Sequence, residues 1–306
     1  MSKSLDRLTL LETFVRIAER GSISGAARDL GLSQASASRQ LKELEDRLGH
    51  ELIRRTTHSL SLTTAGEELL RDARQLISSW SAFEERHMIT DGQVKGPLKV
   101  IAPIALGQRQ LADIALDFQL RNPDVTLTWE LADEAIRFAE VGCDCWIKVG
   151  RIPNENLIVR LLGRVERMVV ASPDLIGRYE FTSRDDVSNL PFVALNPFEG
   201  GRITLQSKSD QQIHLEPRIT LATNNIFSLH RAVVKGLGAA ILPRWFIEEE
   251  LAKKMLIDVL PQWRAAKLDV NVAFLPARHQ PKRLELFLKA LAEGFQRIPG
   301  IESPDA

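Results

Sequence analysis

Residues 24–48 hold the feature that most restricts the fold: a short helical stretch and a longer one meet across a glycine-bearing turn of about three residues. Ser24 reads as the N-cap of the short helix, whose Ala27 and Leu30 face inward. Ala26 and Ala27 are small enough to let the helices approach closely. Gly31 closes that helix, Leu32 plugs the turn, and Ser33 caps the next helix, Gln34 to Leu48. This is the helix-turn-helix pattern. A preceding helix, about Leu5 to Glu19, places Leu11, Phe14 and Ala18 on one face and stops at Gly21.

The helix opening at Gln34 has two faces. Ala37, Leu41, Leu44 and Leu48 form an apolar stripe, while Gln34, Ala35, Ser38 and Arg39 lie on other faces near the N-terminal end. Arg pairs bidentately with guanine, Gln with adenine, and Ser bonds a base or a phosphate, so this end suits base reading. An ordinary solvated helix would carry a similar polar surface. The next segment sharpens the choice. Leu52-Ile53-Arg54-Arg55, a polar tip Thr56-Thr57-His58-Ser59, and Leu60-Ser61-Leu62-Thr63 read as a hairpin wing. Arg54, Arg55 and His58 on such a wing are either plain surface charges or contacts to the phosphate backbone, where cations add sequence-independent affinity. The formal net charge of zero does not argue against this, because a larger domain dilutes a local basic cluster.

From Thr64 to about Ile89 no proline interrupts, and Leu69, Ala73, Leu76, Trp80, Phe83 and His87 repeat at heptad spacing. The stripe either packs on its own domain or forms the seam of a symmetric dimer; as a seam it comprises Leu69, Ala73, Leu76, Trp80 and Phe83. A two-fold dimer would set two reading helices about one DNA turn apart on an imperfect palindrome. Asp91-Gly92-Gln93-Val94-Lys95-Gly96-Pro97 then reads as a hinge.

Beyond it, β-like runs (LKVIAPI, VTLTWEL, CDCWIKV, LIVRLLG, RMVVAS) alternate with helical ones, about Gly107 to Leu120 and Glu134 to Val141. That alternation implies a largely parallel sheet covered by helices, with ligands expected at the carboxyl ends of strands in a cleft between lobes.

Phe14 to Gly66 resembles the DNA-binding domain of LysR-type transcriptional regulators, through A-A-x-x-L, S-Q-x-x-x-S-R-Q, L-E-x-x-L-G, L-x-R-R and L-T-x-A-G in order. The reading surface is accordingly Ser33, Gln34, Ala35, Ser36, Ser38 and Arg39, with Arg54, Arg55 and His58 on the wing. The family usually carries proline at 35 and leucine at 37; both are alanine here, which bears on the operator sequence and not on DNA binding. F-Q-L-R-N-P-D-V, C-D-C-W-I-K-V-G, A-S-P-D-L and N-N-x-x-x-L-x-x-A-V-x-x-G-L-G-A-A-I-L-P resemble the effector-binding domain of the same family, itself similar to periplasmic solute-binding proteins. The resemblance implies a multidomain α plus α/β chain. A winged helix-turn-helix occupies 1–65, a linker and dimerisation helix with hinge 66–92, and a two-lobed α/β effector domain 93–306. Lobe 1 takes about 93–167 plus 270–306 and lobe 2 about 168–269, with crossover strands near Glu166–Val170 and Leu268–Val272. The implied effector walls are Pro103, Ile104, Lys148, Val149, Asn196, Phe198, Thr223 and Asn224. Pro103 is equally a strand terminator and Asn224 equally a helix cap. Lys148 favours a carboxylate-bearing ligand.

Other motifs are weaker. Gly236-Leu237-Gly238 lacks the third glycine of a dinucleotide fingerprint and follows a helical pattern. Cys143 and Cys145, two apart on an expected strand, are read as buried hydrophobes sharing one face, with a redox or metal pair as the lesser alternative. The histidines lack metal-ligand spacing, and no catalytic constellation stands out. No secretion signal or membrane-length apolar run is evident, so a cytoplasmic, non-enzymatic regulator without metal or cofactor is expected. Its expected partners are double-stranded DNA, a small-molecule effector, further copies as homodimer or homotetramer, and RNA polymerase. An enzyme or solute-binding protein with an incidental helical N-terminus, and a constitutive DNA-architectural protein, are the competing readings.

Overall fold

The structure is a computed structural model of the 306-residue chain. It describes residues 6–55, 60–87, 94–153, 156–179, 184–196 and 202–304. Helices α1 (Arg7–Arg20), α2 (Ile23–Asp29) and α3 (Gln34–Leu48) come first. Gly21 ends α1 and Gly49 ends α3, with φ of 57° and 74°, a conformation that β-carbon-bearing residues disfavour. Ser22, and not Ser24, caps α2: its hydroxyl accepts the Gly25 N–H at 3.3 Å, so the helix starts one serine earlier than the sequence suggests. Leu10, Phe14, Ile17, Ala26, Leu41, Leu44, Leu52, Ile53 and Leu70 close a core around these helices. Leu48 is 44% exposed, so the buried stripe of α3 ends at Leu44.

Strands β1 (Ile53–Arg55) and β2 (Leu60–Leu62) pair antiparallel, Arg54 opposite Ser61. Two side chains tie this wing down. Glu45 of α3 accepts the N–H groups of Leu52 and Ile53 at 2.9 and 3.3 Å. Thr63 donates to the Glu51 carbonyl at 2.7 Å and accepts the Gly66 N–H at 3.0 Å, capping α4 (Thr64–His87). A β-carbon on Gly66 would lie 2.1 Å from the Leu52 carbonyl oxygen, so glycine is what lets α4 touch the wing. With 24 residues, α4 runs about 36 Å.

The remaining chain opens with β3 (Gly96–Ala102), α5 (Ile104–Gly107), α6 (Gln110–Arg121), β4 (Val125–Leu131), α7 (Phe138–Val141) and β5 (Cys145–Val149). The expected helix from Glu134 shrinks to α7. Upstream of it, Asp133 accepts the Ile104 N–H through Oδ1 and the Lys148 ammonium through its carbonyl, which holds this segment off a helical path. Next come β6 (Ile158–Ala171), α8 (Pro173–Gly177), a short 3₁₀ turn (Arg184–Asn189), β7 (Pro191–Leu195), β8 (Ile203–Ser207), β9 (Gln212–Leu215) and β10 (Arg218–Thr223). The chain closes with α9 (Ile226–Val234), β11 (Ala240–Pro243), α10 (Arg244–Ala252), β12 (Ile257–Asp258), β13 (Trp263–Phe274), α11 (Lys282–Phe295) and β14 (Ile301–Glu302).

The main sheet runs β11-β6-β13-β5-β3-β4. Only β4, β3 and β5 run parallel within it; β13 is antiparallel to both β5 and β6, and β11 to β6. The sheet is therefore mixed and not largely parallel, since β6 and β13 pair across more than ninety residues of intervening chain. Those two strands also serve two cores. Leu162 and Val165 of β6, with Val270, Val272 and Phe274 of β13, belong to a first core with Leu98, Phe118 and Phe287. Met168 to Ala171 of β6, and Trp263 and Ala265 of β13, belong to the cores on the other side. The switch between lobes falls inside the strands. There Ala265 pairs with Arg167 but Leu268 with Val165, so Ala266 and Lys267 bulge opposite Glu166.

Candidate DNA-reading surface and interlobe cavity

At the start of α3, Ser33 accepts the Ser36 N–H at 3.1 Å and donates to the Ser36 hydroxyl at 2.9 Å. The Ser36 hydroxyl in turn accepts from the Arg39 guanidinium at 3.3 Å. Ser33, Gln34, Ala35 and Arg39 are exposed, Ser36 and Ser38 half-buried, and the opposite face (Ala37, Leu41, Leu44) is buried. No carboxylate lies within ion-pair distance of Arg39 among the described residues. Arg47, at the other end of α3, is held by Glu43 at 2.5 Å. Arg54 is exposed on the wing. The side chain of Arg55 and the whole of His58 lie outside the described residues.

Sequence reasoning missed what holds α3 in place. Thr13 of α1 donates to the Gln40 side-chain carbonyl at 2.5 Å, both residues buried, a polar bolt between α1 and α3. Gln40 sits in the motif S-R-Q as though its amide met solvent, and only its place one turn after Ser36 on the stripe side hints otherwise. Arg20 also clips α1 to α2 with paired bonds to Asp29 at 2.5 and 2.7 Å.

Along α4 the expected seam divides. Ala73 is buried and Leu69 packs on the N-terminal core. Leu76, Trp80 and Phe83 are about half exposed, with the Trp80 and Phe83 rings stacked at 5.5 Å. On the far side of the helix Arg74 reaches Glu19 at 3.3 Å and presses on Gly142, whose β-carbon position would be 2.3 Å from the guanidinium carbon. Burial lowers the Arg74 pKa, and Glu19 opposes that shift. A crevice of about 1590 Å³ separates α1 and α4 from the first lobe and is lined by many charged side chains, among them the pairs Arg16–Glu19, Arg74–Glu19 and Lys99–Glu130.

Between the lobes lies a cavity of about 730 Å³, within the usual range for small-molecule sites. Pro103, Lys148, Val149, Asn196 and Asn224 line it. Ile104 and Thr223 are not among its described lining residues, and Phe198 lies outside the described residues. Ile104 instead opens α5, and Thr223 accepts the Asn225 N–H at 3.1 Å. The cap of α9 is Asn225, which accepts from Phe227 and Ser228, leaving Asn224 exposed at the cavity. Residues not anticipated from the sequence complete the wall, among them Arg167, Phe192, Ile241, Trp245 and Leu268. Lys148 donates to the Asp133 carbonyl at 3.2 Å and stands 5.5 Å from the Trp146 ring centre.

The cysteines are both buried, but they do not share a face. Cys145 packs in the first-lobe core, whereas Cys143 precedes β5 and packs with Phe138 and Trp146 on the other side of the sheet. Burial pushes the Cys143 thiol up to about 12 and Cys145 well above its ordinary value. Among the described residues no cluster of three or more His, Cys, Asp or Glu could hold a metal, and no helix is long and apolar enough to cross a membrane.

Two family models match the chain. The model described as the LysR substrate binding domain covers residues 91–296, and that of the bacterial regulatory helix-turn-helix protein, lysR family, covers residues 8–67. The HTH-type transcriptional regulator YhjC of Escherichia coli (strain K12) is 28% identical over 94% of this chain and 97% of its own. The fold is similar to that of ArgP from Mycobacterium tuberculosis, with a TM-score of 0.68 at 18% identity over 96% of this chain and 99% of that one. It is also similar to full-length LysG from Corynebacterium glutamicum, solved with bound effector Arg, with a TM-score of 0.65 at 19% identity over 98% of this chain and 100% of that one.

Proposed function

Because this chain belongs to the LysR family of bacterial transcriptional regulators, we propose that it reads an imperfectly palindromic operator through α3 and answers to a small molecule held between its lobes. The observation that carries this reading is the asymmetry of α3: its N-terminal end is bare while its leucine side is buried. Base contacts are assigned to Gln34, Ala35, Ser38 and Arg39, and phosphate contacts to Arg54, Arg55 and His58. Ser33 and Ser36 bond each other and steer Arg39, which supports a positioning role for them.

The division of labour proposed is 1–65 for reading, 66–92 for linking and pairing, and 93–306 for sensing. It is supported by separate cores on the two sides of the hinge, one within residues 10–70, which takes in the first turns of α4, and one within residues 94–301. Leu76, Trp80 and Phe83 are the residues proposed to meet a second copy, and Leu69 and Ala73 are given to the chain's own core. A homodimer, or a homotetramer built from it, would present paired reading helices, and contact with RNA polymerase would follow at the promoter. The relatives carry the names of regulators and not of enzymes, which agrees with a protein that acts by binding in the cytoplasm. Pro103, Lys148, Val149, Asn196 and Asn224 are assigned to the effector wall.

Sequencing the fragments that the purified chain retains from sheared genomic DNA tests the reading. Enrichment of a dyad-symmetric sequence is expected. Retention proportional to fragment length alone would refute it.

A further inference from the structure

The charge on the interlobe wall is unequal. Among the described residues Lys148, Arg167 and Arg202 face a single carboxylate, that of Asp133. Arg202 is already matched, since its guanidinium meets Glu216 at 2.9 Å. Lys148 leans on the Asp133 carbonyl and the Trp146 ring, beside the one acid of the wall. Arg167 is different. It projects from β6 at the bulge that marks the change of lobe, and Nε and Nη2 both donate to the Ala266 carbonyl, the former at 2.8 Å. Its Nη1 makes no hydrogen bond among the described residues, and no carboxylate stands within ion-pair distance. Burial alone lowers its pKa, with no nearby charge contributing. A half-buried cation without a counter-charge is costly to hold, and a matching anion relieves that cost. Around it the wall is apolar, drawn from both lobes through Phe192, Ile203, Ile241, Trp245 and Leu268.

Resting on the reading that a small molecule occupies this cavity, we infer that the ligand is an organic monoanion, a carboxylate on an apolar body, and that Arg167 is its charge anchor. The planar guanidinium suits a carboxylate because its N–H groups match the two oxygens. The anchor is also a lever. The same guanidinium clips the Ala266 carbonyl, so a carboxylate that draws Arg167 toward the cavity loads the bulge on β13. Occupancy is thereby felt at the strand pair that joins the lobes, and not only in the loops around the cavity.

The test uses the full chain with benzoate, phenylacetate and hexanoate, each against its neutral amide, by calorimetry and thermal melting. At least one acid is expected to bind with about 10- to 100-fold preference over its amide, the range of a charge-assisted pair. Arg167→Met should bring that ratio close to one, and Arg167→Lys should keep part of it. Arg202→Met, already neutralised by Glu216, should leave it intact. Exchange of backbone amides over residues 263–270 should change with the acid and not with the amide. Absence of binding by every acid, equal binding of acid and amide, or an unchanged ratio in both Arg167 variants would overturn the assignment; exchange that does not respond to a bound acid would overturn the lever. Enrichment of operator DNA by the unliganded chain is independent of these results, so failure here and failure of the regulator reading are separable.

Discussion

Replacing three arginines one at a time separates sequence reading from charge. Arg39 is exposed at the N-terminal end of α3, Arg54 is exposed on the wing, and Arg47 is paired with Glu43 at the far end of the same helix. A bidentate base contact discriminates by about 1–3 kcal/mol, so Arg39→Ala in a dimer with two copies on the operator costs about 2–6 kcal/mol there and little on random DNA. A phosphate contact adds about 0.9 to the salt slope, so Arg54→Ala should lower it by about 1.8 per dimer. Across a fourfold rise in salt the wild type should then lose about 12-fold more affinity than the Arg54 variant. Arg47→Ala should change neither quantity. Fluorescence anisotropy with an enriched operator and a scrambled duplex, at several salt concentrations, gives both numbers. Should Arg39→Ala weaken operator and scrambled DNA alike, or Arg47→Ala match it, the N-terminal end of α3 is not what reads the bases.

Gly66→Ala should cost more than its gain in helix propensity, because the added carbon meets the Leu52 backbone oxygen at 2.1 Å; a net loss of about 1–3 kcal/mol is expected by chemical denaturation, and an unchanged melting curve would refute the contact. Thr13→Val strands the buried Gln40 carbonyl and should lose about 1–3 kcal/mol, while the double variant Thr13→Val with Gln40→Leu should recover much of it. A double variant as unstable as the sum of the single ones would deny the pair. Trp80→Glu should shift the molecular mass seen by light scattering toward the monomer if Leu76, Trp80 and Phe83 meet a second copy; an unchanged mass would move the seam elsewhere. Burial raises the Cys143 thiol to about 12, so far less of it is thiolate near neutral pH than of an ordinary cysteine. Alkylation by iodoacetamide should accordingly be far slower in the folded chain than in urea, and equal rates would show that the thiol is not buried.

Local signals carried the N-terminal region well. Gly21, Gly31 and Ser33 mark ends of helices because capping is decided within a few residues, and the wing follows from one polar tip between two apolar runs. Ser22 and Ser24 are both good caps, and only the position of Gly25 N–H decides between them. The register of β6 with β13 is set by contacts far apart in sequence, so strand alternation suggested a parallel sheet where much of it is antiparallel. The shared-face reading of the cysteines failed because β5 begins at Cys145 and the chain has not yet adopted the pleat at Cys143. For the cavity, residues at strand ends were reachable by position, as Lys148 and Asn224 were. Arg167 was not, since an arginine inside a strand shows nothing of its missing counter-charge until the cavity is closed around it.

Continuous strands between the lobes limit the kind of motion available. A loop pivots freely about a few torsions, but β6 and β13 stay paired on both sides of the bulge where the cores change hands. Any opening or closing must be spread as extra twist along both ribbons, resisted at every rung and relaxed most easily at the extra residue opposite Glu166. Such a joint works as a stiff elastic element: it yields to small rotations and resists large ones more strongly than a loop would.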